Sequence, residues 1–174
     1  MRKLYHFSEE SGIDVFRPRV KANRTELPPV VWAVDEEREF TFWVPRACPR
    51  IVYWRSEGMS AEDERRFFGT TSAPAVMAVE SGWLERIQSA ALYRYELPAD
   101  GFERFDEIAG YSISRVEKVP SSVTRMTGLL ERLAASGIEL RLTPSLHPLR
   151  EALLGSTVTR FGIHQFGNAS PPLA

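Results

Sequence analysis

KLYHF at residues 3–7 opens the sequence with an apolar and aromatic run. Such a run bounded by polar residues predicts a buried strand. VVWAV at residues 30–34 predicts a second buried strand in the same way. These two strands carry His6 and Trp32, and the functional argument depends on both residues.

Strands and helices alternate outward from this pair. Further strands are predicted at residues 51–55, 76–79, 91–97, 111–119, 138–143 and 157–165. Helices are predicted at residues 35–43, 80–90, 122–136 and 147–154, and residues 60–69 are predicted as an exposed, partly helical excursion. The strongest helical pattern is at 122–136, where the apolar stripe consists of Val123, Met126, Leu129, Leu130 and Leu133. The pattern as a whole predicts a mixed α+β fold.

Length and charge limit the class of protein. At about 150 residues per domain, the 174 residues predict a single domain, 1–174. The 22 basic and 23 acidic residues argue against general binding to nucleic acids, although a local basic patch stays open. No signal-peptide core or transmembrane run is present, so we expect a cytoplasmic protein without a membrane partner. The many aromatic residues leave room for a homodimer patch that composition does not locate.

Local catalytic and metal motifs are missing from the sequence. It contains no P-loop, dinucleotide fingerprint, HExxH or nucleophile elbow. The three histidines lie far apart, and Cys48 is the only cysteine. We therefore expect neither a metal site nor a disulfide within the chain.

His6 is the most suggestive single residue. In LYHFSEE it lies within a strand, with Ser8 on the same face two residues later. An imidazole in this position can exchange a hydrogen bond with a ligand hydroxyl, with Ser8 assisting. The alternative is a core histidine that is hydrogen-bonded to the backbone.

Trp32 and a pair of arginines are candidate ligand-binding residues. Trp32 could stack on a flat ring, or it could be an ordinary core tryptophan beneath a sheet. Arg46 and Arg50 lie in a proline-stiffened loop, where two guanidinium groups can hold a phosphate or a carboxylate. The alternative for both arginines is pairing with nearby surface acids.

Three further residues are weaker candidates. Arg115 and Glu117 lie two residues apart on one face of the predicted strand 111–119, either as catalytic groups or as an exposed ladder pair. Cys48 is flanked by Arg46 and Arg50, which would lower the pKa of its thiol, whereas burial would raise it. The sequence does not decide whether this thiol is reactive.

Several stretches resemble an uncharacterised bacterial family, a domain of unknown function. They are LYHFSEESGIDVFRPR (4–19), VVWAVDEE (30–37) with WVPRACPR (43–50), and LYRYELPADGF (92–102) leading into GYSISR (110–115). Residues 138–171 are similar to that family too, so the resemblance covers nearly the whole chain. The resemblance to this family does not indicate a reaction.

The order of the elements also resembles the ADP-ribosyltransferase fold, and this resemblance implies a split, largely antiparallel sheet with short inserted helices. In that fold a first-strand histidine binds the nicotinamide-side ribose, a tyrosine stacks on nicotinamide, and a later strand presents a glutamate. Carried over, His6 takes the first role, supported by Ser8, and Trp32 stands where the tyrosine would be. The later strand begins at Gly110 and Tyr111, so no glutamate occupies the matching position, and Tyr111 is a further candidate cofactor-binding residue. The cofactor that the resemblance implies is NAD.

The missing glutamate leaves the reaction open. Relatives of this fold that transfer a phosphate from RNA to NAD also lack it and use basic residues, a part that Arg46, Arg50 and Arg115 could play. Glu117 lies on the predicted strand, several residues after the position where the fold presents its glutamate. One hypothesis is therefore a nucleotide-binding domain, either a transferase or catalytically silent, with His6 and Trp32 meeting Arg46 or Arg50 in one pocket. The other is a non-catalytic interaction domain in which these residues scatter and His6 bonds to the main chain.

Overall fold

The computed structural model describes residues 2–172 and divides the chain into two compact units. The first unit contains the residues up to 42 together with 91–127, and the second contains 43–90 together with the residues from 128 onward. Each unit is therefore assembled from two separate segments of the chain. The single domain that the length predicts stays a prediction.

Ten strands and four helices make up the regular structure of the described residues, together with three short 3₁₀ helices. The strands are β1 (Leu4–Ser8), β2 (Val31–Asp35), β3 (Arg50–Trp54), β4 (Ala75–Glu80), β5 (Leu92–Leu97), β6 (Glu103–Asp106), β7 (Tyr111–Ser114), β8 (Ser122–Met126), β9 (Glu139–Thr143) and β10 (Phe161–His164). The α-helices are α1 (Ala61–Phe68), α2 (Leu84–Ser89), α3 (Leu129–Ala135) and α4 (His147–Leu154). The 3₁₀ helices are Glu39–Phe42, Ser81–Trp83 and Phe166–Asn168.

Each unit has a sheet of its own. In the first unit the strand order is β6-β7-β2-β1-β5-β8, and every neighbouring pair is antiparallel. In the second unit the order is β10-β3-β4-β9, with β4 and β9 parallel. The predicted α+β fold with a largely antiparallel sheet is confirmed; that sheet has six strands. Among the residues that the structure describes, no helix is both long and apolar enough to span a membrane.

Strand β2 is buried on both faces of the first sheet, which explains its uninterrupted apolar run. Val31 and Ala33 pack into one buried cluster, whereas Trp32 packs with Ile113 into another, beside Tyr111. Successive side chains of a strand point to opposite faces, so this division follows directly from strand geometry. A strand buried on both sides is apolar at every position rather than at alternate ones.

The helix predicted at residues 122–136 is wrong in its first half. Residues 122–126 form β8, which pairs with β5, and only Leu129–Ala135 is helical. Gly128 separates the two elements with a left-handed φ of 63°. Val123 is 52% exposed, so the apparent apolar stripe combined a strand residue with the buried helix residues Leu129 and Leu133.

Other elements also differ from the prediction. The helix predicted at 35–43 is a turn followed by a 3₁₀ helix, because Asp35 ends β2 and its carboxylate accepts the Arg38 amide. The excursion at 60–69 is a regular helix capped by Ser60, with Phe67 buried. The strand predicted at 111–119 ends at Ser114, and β6 was not predicted at all.

Candidate functional site

A small cavity opens in the first unit, where β1 and β2 separate. The two strands pair only at Leu4↔Asp35 and Tyr5↔Val34, although β1 stays paired with β5 along its whole length. The cavity has a volume of about 60 Å³, room for about two water molecules. Its lining consists of Tyr5, His6, Phe7, Lys21, Trp32, Ala33, Val34, Phe42 and Tyr111.

The imidazole of His6 bridges the gap between the separated strands. Its Nδ1 lies 2.9 Å from the carbonyl oxygen of Trp32. Because a carbonyl oxygen only accepts hydrogen bonds, Nδ1 carries the proton, and Nε2 is the acceptor nitrogen of the neutral ring. The ring is also 4.7 Å from that of Phe16, centroid to centroid. A side chain has therefore replaced the strand pairing, and this fixes the tautomer and the orientation of His6.

Aromatic rings form the walls of the cavity. The rings of Trp32 and Tyr111 lie 5.6 Å apart at 82°, so they enclose a corner. Phe42 is 5.9 Å from Tyr111 and is stacked on Phe7 at 6.1 Å. Perpendicular and stacked pairs at these separations are favourable ring geometries. The site therefore presents flat, apolar surfaces of the kind that a planar ligand contacts.

A lysine lies against these aromatic walls. The ammonium of Lys21 is 4.1 Å from the centroid of the Trp32 ring and 5.9 Å from that of Tyr111. Both distances are within the range of a cation–π interaction. No local pattern in the sequence indicates Lys21, which belongs to the polar loop between β1 and β2. Tertiary packing brings three residues to the cavity that were not candidates from the sequence: Phe7, Lys21 and Phe42.

Trp32 brings an unused donor to this region. Its side chain is 8% exposed, and its indole Nε1–H has no hydrogen-bond partner among the described residues. A buried donor without an acceptor costs about 1–3 kcal/mol of stability relative to a satisfied one. Such a group is satisfied when a water or a ligand oxygen approaches it.

A buried ion pair supports β1 close to the cavity. Arg94 on β5 donates two hydrogen bonds to Glu39, at 2.6 and 2.7 Å, and its guanidinium lies 3.5 Å from the centroid of the Tyr5 ring. Burial raises the pKa of Glu39, and Arg94 opposes that shift. Burial likewise raises the pKa of the Tyr5 phenol. Arg94 binds both oxygens of the carboxylate, so the ion pair connects the 3₁₀ helix Glu39–Phe42 to β5.

The first-unit candidates separate into those in the cavity and those outside it. His6, Trp32 and Tyr111 all line it. Ser8 does not, because its buried hydroxyl accepts the Glu10 amide and closes the turn after β1.

The two catalytic candidates that follow β7 do not line the cavity either. Arg115 and Glu117 lie beyond the end of β7 at Ser114, and both are exposed. Glu117 pairs with Arg17 at 3.7 Å. The shared strand face that was predicted for Arg115 and Glu117 is therefore wrong.

Arg46, Arg50 and Cys48 belong to the second unit. Arg50 is 4% exposed and donates to the Cys48 carbonyl at 3.0 Å, whereas Arg46 is exposed. Cys48 is fully buried, and burial raises the pKa of its thiol to about 12, against the opposing influence of Arg50. A thiol with this pKa is a poor nucleophile near neutral pH. The meeting of Arg46 or Arg50 with His6 stays a prediction.

Within the described part of the chain, no group of three or more histidine, cysteine, aspartate or glutamate side chains is arranged to hold a metal ion.

The comparisons with known proteins find one family. The model of a family of unknown function, DUF6886, matches residues 5–169. No curated protein and no solved structure matches the chain.

Proposed function

The chain belongs to the DUF6886 family, whose function is unknown, and we propose that its first unit binds a nucleotide, NAD, in the cavity between β1 and β2. The observation that carries this proposal is that His6, Trp32 and Tyr111, from three adjacent strands, line one cavity. The resemblance to ADP-ribosyltransferases implies that residues at these positions meet at a nucleotide site.

Each residue has a definite role in this proposal. Nε2 of His6 accepts a hydrogen bond from a ribose hydroxyl, since Nδ1–H is committed to the Trp32 carbonyl. The faces of Trp32 and Tyr111 hold a planar base, and the unpaired indole N–H of Trp32 donates to an acceptor on the ligand. Binding and orientation of the ligand follow from these contacts alone.

The position where the resemblance implies a glutamate is occupied by Gly110 and Tyr111. Gly110 adopts a left-handed φ of 72°, and a Cβ there would come within 2.6 Å of the Asp35 carboxylate and within 2.5 Å of the Arg38 side chain. Tyr111 follows directly and directs its ring to the cavity. None of the described residues that line the cavity is acidic. The proposed activity is therefore nucleotide binding, with any transfer step dependent on basic residues rather than on a glutamate.

The alternative is a non-catalytic interaction domain without a nucleotide site. The bond from His6 to the Trp32 carbonyl favours this alternative, because a purely structural histidine makes the same bond. The cytoplasmic location and the homodimer considered from the sequence also stay predictions.

Calorimetric titration with NAD and ADP-ribose tests the proposal. His6→Asn is the informative variant, because the asparagine amide can replace Nδ1–H toward the Trp32 carbonyl but supplies no acceptor at the position of Nε2. We expect the folded variant to lose about tenfold or more in affinity for ADP-ribose, the effect of one lost hydrogen bond in a buried site.

His147→Asn is the matched control for that titration. His147 lies in the second unit, and its Nε2 is 2.9 Å from the Ser170 carbonyl, so it too is a histidine bonded to the backbone. This variant should bind ADP-ribose as the wild type does. If folded wild-type protein binds neither NAD nor ADP-ribose, the interaction-domain alternative is favoured.

A further inference from the structure

The corner between Trp32 and Tyr111 already holds a cation, the ammonium of Lys21. The 82° angle between the two rings lets one positive charge approach both of them, at 4.1 and 5.9 Å. The negative faces of aromatic rings attract cations, and tryptophan does so most strongly. The geometry therefore selects for positive charge in addition to flat shape.

Lys21 is a weaker partner for these rings than an organic cation would be. A primary ammonium is a compact, strongly hydrated point charge, and it loses much of that hydration against an aromatic surface. A pyridinium ring or a quaternary ammonium spreads its charge over carbon and is less strongly hydrated, which is why aromatic sites recognise such ligands. A weakly hydrated cation therefore gains more from the same corner.

The position of Lys21 in the chain makes it displaceable. It lies in the connection between β1 and β2, two residues after Arg19, whose backbone pairs with Val30. Lys21 itself belongs to no strand or helix, and its side chain is half-buried. Rotation of one long side chain would open the aromatic corner without breaking a strand pair.

The volume of the cavity agrees with a side chain that occupies a ligand's place. With Lys21 present, about 60 Å³ remains, enough for about two waters but less than a pyridine ring with a carboxamide requires. Lys21 is itself one of the lining residues. A ring can enter only if a lining side chain moves, and Lys21 is the lining residue that belongs to neither a strand nor a helix.

We infer that the Trp32–Tyr111 corner is a binding site for an organic cation of dispersed charge, and that Lys21 is its intramolecular competitor. The inference rests on the proposed function, since the oxidised nicotinamide ring is such a cation and its reduced form is not. It adds a charge preference and names the residue that opposes entry.

The test compares two small ligands of nearly equal size that differ in charge. 1-Methylnicotinamide is a cation, and nicotinamide is neutral. Each is titrated into wild-type protein and into Lys21→Met, which keeps an unbranched apolar stem but removes the charge. We expect Lys21→Met to bind 1-methylnicotinamide about tenfold more tightly than the wild type does and to bind nicotinamide with an affinity changed by less than about threefold.

Arg24→Met is the matched control. Arg24 belongs to the same loop, and its guanidinium lies 5.9 Å from the Phe105 ring, but it does not line the cavity. This variant should leave both affinities unchanged. Equal affinity for the charged and the neutral ligand in Lys21→Met would overturn the inference, and so would weaker binding of both ligands, which would make Lys21 part of the site rather than a competitor.

Titration of the same proteins with ADP-ribose separates this inference from the proposed function. ADP-ribose has no nicotinamide ring, so its binding reports on the adenine, ribose and phosphate groups and not on a cationic ring. Binding of ADP-ribose without a preference for the cation overturns only the inference. A preference for the cation without binding of ADP-ribose supports the cation site and contradicts the nucleotide proposal.

Discussion

At the scale of single residues, the environment of a side chain decides its chemistry more than its type does. Cys48 is flanked in sequence by two arginines, a setting that can activate a thiol. In the structure its sulfur is fully buried, and the pKa of the thiol is raised to about 12. Arg50 donates to the Cys48 carbonyl, and its charge favours the thiolate, but burial outweighs that influence.

Cys48 should therefore resist alkylation in the folded protein. At pH 8, a thiol of pKa about 12 is ionised in about one molecule in ten thousand, compared with about a quarter for a free cysteine. Because the pKa is raised, the thiolate of the native state forms only as the pH approaches that value. Labelling with iodoacetamide should be slow in native protein up to about pH 10 and fast in urea. Rapid labelling at pH 8 without unfolding would show that the thiol is activated.

At the scale of elements, the cavity depends on where strands stop pairing. The segment after β1 turns back because the hydroxyl of Tyr95 on β5 donates to the Glu10 carbonyl at 2.8 Å and accepts from the Ile13 amide at 3.2 Å. Tyr95 itself is 1% exposed, so its hydroxyl is held in a fixed position by the surrounding core. This single side chain holds the start of the loop that later supplies Lys21.

Tyr95→Phe should loosen that loop. Loss of the hydroxyl removes the partner of the Glu10 carbonyl and of the Ile13 amide, which should lower the free energy of unfolding by about 1 kcal/mol. The Ile13 amide should lose its protection in hydrogen-exchange measurements. Tyr93→Phe, a half-buried tyrosine on the same strand, should change both quantities less. Unchanged protection of Ile13 would mean that the loop is held by other contacts.

Strands could be predicted where a run of neighbouring apolar residues was sufficient to define them. KLYHF and VVWAV identified β1 and β2, and therefore His6 and Trp32, because apolar runs are read from neighbouring residues. β8 was missed because its pairing with β5, about 30 residues away, overrides a helical apolar spacing that crosses Gly128. Lys21 was not predicted because its contact with the Trp32 ring is a tertiary contact, which the sequence of a polar loop does not indicate.

At the scale of the whole molecule, each unit is built from two segments that are distant in sequence. In the second unit the end of the described chain is fixed by Glu80, the last residue of β4. Its carboxylate, 2% exposed, accepts the Ser170 amide at 2.9 Å, the Ser170 hydroxyl at 3.0 Å and the Leu146 amide at 3.3 Å. No local pattern in the sequence indicates this connection.

Glu80→Ala should therefore destabilise the protein by about 2 kcal/mol or more, because three donors lose a charged, buried acceptor. Urea denaturation measures the loss, and limited proteolysis should show faster cleavage after residue 166. The control is Glu151→Ala, which removes an exposed carboxylate from α4 and should change stability by less than about 0.5 kcal/mol. Equal stability of the two variants would mean that Glu80 does not anchor the segment.

The most direct test of the nucleotide proposal is the indole N–H resonance of Trp32 in ¹⁵N-labelled protein. The four tryptophans give four such signals, and the Trp32 signal is the one that Trp32→Phe removes; if that variant does not fold, replacing the other three in turn assigns it by elimination. The other three tryptophans, Trp43, Trp54 and Trp83, lie in the second unit and serve as internal references. Titration with NAD should move the Trp32 signal in a saturable way while the other three stay in place. No movement at saturating NAD, or movement confined to the other three signals, would contradict a nucleotide site between β1 and β2.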